Sequence, residues 1–135
     1  MFGKGNKEDA PDWVVNALFA SWETRDVVLT ATRYFGEGNS KGTAVDEEGV
    51  ALEQDGFSLW GEWKLHGPGL SIIGRFDSFD FGPDADDDKS ERIIAGIAYH
   101  IQGSTKILID YDIVSDDGFD SSDNKALKVT LDYQF

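Results

Sequence analysis

The chain closes on Lys125-Ala-Leu-Lys-Val-Thr-Leu-Asp-Tyr-Gln-Phe135, and this stretch decides how the rest is read. Leu127, Val129, Leu131, Tyr133 and Phe135 hold one parity; Ala126, Lys128, Thr130, Asp132 and Gln134 hold the other. Successive side chains of a strand point to opposite faces, so the stretch predicts a β-strand with one apolar and one polar face. Its length of about ten residues is what a tilted strand needs to cross a bilayer.

The same alternation recurs upstream. Ile107, Ile109, Tyr111 and Ile113 alternate with Lys106, Leu108, Asp110 and Asp112. Ile93, Ala95, Ile97, Tyr99 and Ile101 alternate with Arg92, Ile94, Gly96, Ala98 and His100. Leu70, Ile72, Gly74 and Phe76 alternate with Ser71, Ile73, Arg75 and Asp77, and Phe57 to His66 repeats the pattern. Two strands of weaker alternation, 13–23 and 27–36, come first, and their sequence does not say which parity faces outward. Connections alternate between short turns at 24–26, 67–69 and 102–104 and long loops at 37–56, 81–91 and 115–124. Within the first loop, 43–52 has the makings of a short hairpin arm.

Seven strands, short turns on one side and long loops on the other predict an all-β fold. The class is an antiparallel up-and-down transmembrane β-barrel, here its seven-strand C-terminal portion. Bacterial single-chain barrels close with an even strand number, so seven strands predict a curved open sheet. The alternative is closure through an extra strand drawn from 1–12 or 43–52. The whole of 1–135 is read as the C-terminal part of one barrel domain, with upstream strands supplied by a longer reading frame.

Composition sets the outer limits. With 135 residues, 40% of them hydrophobic and no run of 18 apolar residues, a transmembrane helix is excluded, whereas alternation hides a barrel from any hydropathy average. No cysteine is present, which removes disulfides and thiolate metal sites. A net charge of −14 argues against nucleic acid. The leading segment 1–12 and the three long loops hold 18 of the 26 acidic residues, placing the acid on one side of the sheet. Met1 to Asp9 lacks the apolar core of a secretory signal. Aromatic residues of the apolar parity fall at both ends of the strands: Trp63, Tyr99, Tyr133 and Phe135 at the turn end, Phe57, Phe76 and Tyr111 at the loop end. Two girdles flanking an aliphatic band suit the two interfaces of a membrane.

The segments Gly-Phe-Ser-Leu-Trp-Gly-Glu-Trp-Lys-Leu (56–65), Leu-Ser-Ile-Ile-Gly-Arg-Phe-Asp (70–77), Ile-Ala-Gly-Ile-Ala-Tyr (94–99) and Ile-Leu-Ile-Asp-Tyr-Asp (107–112) lead to the closing Leu-Asp-Tyr-Gln-Phe (131–135). Together they resemble the C-terminal end of the porins, most closely the phosphate-selective porin O and P family. The resemblance covers the last 80 residues. It implies a passive diffusion channel for small hydrophilic or ionic solutes in the bacterial outer membrane, with no cofactor. Its implied partners are the lipid bilayer, lipopolysaccharide, the barrel-assembly machinery and two further copies in a homotrimer. Leu131, Tyr133 and Phe135 would be the assembly signal. In that family inward Arg and Lys residues attract phosphate.

In this chain the predicted pore wall is mixed: Lys64, Arg75, Arg92, Lys106 and Lys128 face Glu62, Asp77, Asp110, Asp112 and Asp132. Five cations against five anions do not predict strong anion selectivity. Counting back from the 67–69 turn sets Arg75 across from Trp60 with Glu62 on the diagonal, and counting back from the 115–124 loop sets Asp110 near Lys128. His66 and His100 read as polar residues at the turn-end rim, and nothing supplies metal-ligand spacing. The acidic stretch 116–123 lacks the closing Glu of a calcium loop. No nucleophile motif or phosphate loop suggests an enzyme. A reading from another class is a soluble up-and-down barrel that binds an apolar ligand inside, as lipocalin-like proteins do. Which parity faces inward separates the two.

Overall fold

The computed structural model describes residues 2–3, 11–39, 44–46, 48–67, 69–80, 89–102, 105–116 and 124–132. They form one antiparallel sheet whose strands lie side by side in sequence order. The strands are β1 (Phe2–Gly3), β2 (Trp13–Glu23), β3 (Val27–Glu37), β4 (Glu53–Lys64), β5 (Leu70–Asp80), β6 (Lys89–Gln102), β7 (Thr105–Asp116) and β8 (Asn124–Asp132). Seven of them are full-length, as the alternation predicts. Several run further into the loops than the periodicity does: β4 starts at Glu53 and not Phe57, and β5 continues to Asp80. The backbone ladder carries on past the apolar stripe, because an exposed strand end accepts charged residues that an apolar count cannot register.

The short connections close tightly. The Thr24 amide donates to the Val27 carbonyl at 2.8 Å and the Val27 amide donates to Thr24 Oγ1 at 3.0 Å. At the next turn the Leu65 amide donates to the Leu70 carbonyl at 2.8 Å. Gly67 and Gly69 there have φ of 97° and 68°, a left-handed backbone that a side chain would strain.

Register sorts every strand residue onto one of two faces. On one, Val27, Trp63, Ile72, Ile97, Ile109 and Val129 form a continuous row across six strands. The parity that the sequence leaves open is decided by pairing: Leu29 lies opposite Gly61 and therefore on this apolar face, while Thr30 lies opposite Trp60 on the other. The apolar face is the more exposed one, with Ile97 55%, Trp63 55% and Ile109 50% accessible. The other face carries the charges of β4–β8 and is shielded on the central strands, where Ser71 is fully buried and Glu62, Asp110 and Asp112 are nearly so; on the edge strands β2 and β8 both faces are exposed.

Strand contacts run only between sequence neighbours, so no second layer covers either face among the described residues. Side chains in a single layer shield one another only where they converge. The polar face is therefore the concave, inner side, and the apolar face is the convex, outer side.

Charges on the outer face sit at the loop ends of the strands. Arg33 and Asp55 are joined at 2.6 Å there, as are Lys89 and Glu91.

The sheet is open. Among the described residues, no pairing joins β8 to β1 or β2. The two extra segments proposed for closure behave differently from a closing strand. Phe2–Gly3 adds two residues to the β2 edge opposite Trp13 and Val14, and 44–52 makes an isolated bridge between Val45 and Ala51. β2 and β8 run in the same direction, from loop end to turn end. Tyr133 and Phe135, and the acidic stretches 81–88 and 117–123, lie outside the described residues.

Candidate functional site

The inner face of β4–β8 gathers the charged residues. Register puts all ten predicted wall residues there: Glu62 and Lys64 on β4, Arg75 and Asp77 on β5, Arg92 on β6, Lys106, Asp110 and Asp112 on β7, and Lys128 and Asp132 on β8. Alternation explains this without exception, since all ten hold the parity opposite the apolar stripe. Leu131, from the predicted assembly signal, holds the other parity and is 64% exposed.

The ion pairs depart from simple cross-strand counting. Trp60 does lie directly opposite Arg75, but the Arg75 Nε donates to Asp77, two residues along its own strand, at 2.9 Å, and not to Glu62. Lys128 is in register with Asp110, yet its ammonium reaches the neighbouring Asp112. Asp112 also receives Arg92 in a two-pronged contact, Nε at 2.9 Å and Nη2 at 2.6 Å. Its side chain is 5% exposed, so both cations close over a carboxylate already taken from water. This Arg92–Asp112–Lys128 bridge ties β6, β7 and β8 together. Bidentate geometry makes it stronger than a surface pair.

A second cluster sits toward the turn end, and the sequence gives no warning of it. His100 Nε2 lies 3.1 Å from Ser71 Oγ and 3.5 Å from Glu62 Oε1. Ser, His and Glu together invite comparison with a nucleophilic relay. In such a relay the acid and the nucleophile use opposite ring nitrogens. Here both meet Nε2, so the geometry is that of a packed polar wall. Glu62 Oε1 is buried and has no hydrogen-bond partner among the described residues. His66 lies elsewhere, 3.4 Å from Asp26 at the first turn.

Glu23 is also beyond reach of the sequence, because alternation leaves the parity of β2 open. It joins the inner face opposite Val28 and lies 3.7 Å from Lys64. Gly96, on the row of Asp110, makes the wall fit. A Cβ there would stand 2.6 Å from the Ile109 carbonyl oxygen and 2.9 Å from Asp110 Cα. Both are backbone atoms that cannot swing aside. Gly96→Ala is expected to destabilise the sheet by about 1–3 kcal/mol through overpacking. Comparing urea midpoints of refolded wild type and variant checks it; an unchanged midpoint would show that β6 and β7 can separate freely.

No family model, curated protein or solved structure matches the chain. The functional reading therefore rests on the geometry and on general physical chemistry.

Proposed function

We propose that this sheet is the C-terminal wall of an outer-membrane diffusion channel, with the apolar face toward lipid and the charged face toward a water-filled lumen. The observation that carries the reading is the inversion of the two faces. A soluble single-layer sheet covers its apolar side; here the charged side is shielded and the apolar side exposed. Monomeric soluble proteins rarely leave contiguous apolar surface beyond a few hundred Å², whereas a barrel wall in lipid needs one.

Two further features support it. The outer-face stripe on β6 runs from Ile93 to Ile101, eight residue steps. At about 3.4 Å per step and a tilt of about 40°, it covers roughly 21 Å of height, near the ~25 Å apolar band of such barrels. Charges on this face stay at the loop end: no charged strand residue of the face lies nearer the turns than the row of Phe76, whose ring is 5.6 Å from that of Phe57. The lipocalin-like alternative needs the apolar parity inside, and burying six carboxylates around an apolar ligand would be costly.

Solutes would pass passively along the inner face, and the chain would form one part of a larger barrel. The test is electrical. Stepwise conductance from the intact channel in planar bilayers is the expected result, and a protein that folds in water without detergent and adds no conductance defeats the proposal.

Deleting Phe135 should strongly impair outer-membrane assembly in cells. It should cost refolded protein only about 1–3 kcal/mol, the scale of one large apolar side chain. Heat-modifiable gel mobility measures the first and refolding into detergent the second. Normal assembly of the deletion would remove the terminal residue as an assembly signal.

A further inference from the structure

We infer that the lumen selects cations, and that Glu62 and Asp110 are the residues that set this preference. The inference rests on the channel reading above. It runs against the anion preference implied by the resemblance to phosphate-selective porins.

Pairing on the inner face decides which charges stay available to a solute. Between Glu23 and Asp132 the inner-face strand residues with described side chains include five cations and six carboxylates. Every cation is engaged. Lys64 lies 3.7 Å from Glu23, Arg75 2.9 Å from Asp77, and Lys106 3.9 Å from Asp132. Arg92 and Lys128 both close on Asp112. Four carboxylates absorb all five cations, and two are left over.

Those two are Glu62 and Asp110, 8% and 6% exposed. Among the described residues Glu62 has only the His100 ring within ion-pair distance, at 3.5 Å, and its Oε1 has no hydrogen-bond partner. Asp110 makes no hydrogen bond or ion pair with any described residue, although Lys128 is in register with it.

Both lie on one row across the wall, separated by Ile73 and Gly96. Three strand spacings put their backbones about 14 Å apart, and concave curvature brings their side chains nearer. Gly96 adds no side chain beside Asp110 and Ile73 an uncharged one beside Glu62, so the row carries two carboxylates with no cation between them. Cationic groups complement it: a monovalent metal ion, or the ammonium of an amine-bearing solute. Anions would meet cations that are already neutralised.

The experiment measures reversal potentials of the intact channel in a potassium chloride gradient, for wild type, Glu62→Gln, Asp110→Asn and the double variant. The wild type should pass potassium in preference to chloride. The double variant should lower that ratio by about two- to fivefold, as expected for lost partly solvated charge contacts. The preference should be larger near 0.1 M salt than near 1 M, where screening shortens to about 3 Å.

Heat-modifiable mobility confirms that each variant is folded; where the double variant is not, the single variants and the wild-type ratio decide. A wild-type ratio at or below one overturns the inference and leaves the channel reading standing. So does a ratio unchanged in folded variants. Absence of any wild-type conductance overturns both.

Discussion

Ile97→Lys is expected to cost about 2–4 kcal/mol in lipid, the penalty for a cation on the lipid face near the middle of a membrane barrel. Ile97 lies between Ile72 and Ile109 in the middle of the outer face and is 55% exposed. On a water-facing surface a residue so accessible would tolerate Lys within about 0.5 kcal/mol. The two environments therefore give opposite answers for one substitution. Urea titration after refolding into lipid vesicles supplies the number, and heat-modifiable mobility reports whether the variant inserts at all. An Ile97→Lys variant as stable as wild type in vesicles would mean that the outer face does not meet lipid.

Asp112→Asn is the second large expected effect. The carboxylate collects Arg92 and Lys128, and charged hydrogen bonds of this kind contribute about 1.5–3 kcal/mol. The side chains of Arg92 and Lys128 are 37% and 47% exposed, so water recovers part of the loss and the lower end applies. On the proposed channel reading, removal of Asp112 would also free two cations on the inner face at once. Cation preference should reverse toward chloride, a larger electrical change than loss of either Glu62 or Asp110 alone gives. A double-mutant cycle with Arg92→Gln separates the pair from the single-residue costs, since only contacting residues couple. Additive stabilities within experimental error would show that the bridge does not form in solution.

Alternation reads the faces of β4–β8 well because in each of these strands the mid-strand charges fall on one parity and the other parity is apolar there. β2 defeats the same reasoning for a physical reason. It carries Leu18 and Trp22 on the outer face and Phe19 on the inner face, so neither parity stands out. Only hydrogen-bonded register to β3 orients it.

Partner choice is the other blind spot. Register correctly sets Asp110 against Lys128, but a long flexible side chain on a twisted sheet reaches two residues along the neighbouring strand as easily as straight across. Lys128 therefore takes Asp112, which Arg92 has already oriented. The His100–Ser71–Glu62 cluster draws on three strands and 38 residues of sequence separation between Glu62 and His100. No local spacing could announce it.

The shared direction of β2 and β8 has an arithmetic consequence for how such a wall can be sealed. In an antiparallel ring neighbouring strands alternate up and down, so the number of strands around it must be even. A sheet whose two full-length edges both point down can be completed only by an odd number of additional strands, beginning and ending with one that points up. Phe2–Gly3, antiparallel to β2, has the heading required of the first. Copies of the seven full-length strands alone, set edge to edge in one orientation, break the rule, for each seam would join two descending strands. A strand with the heading of Phe2–Gly3 between them restores the alternation, so any ring built from this sheet, by one copy or by several, needs an odd set of further strands for each copy.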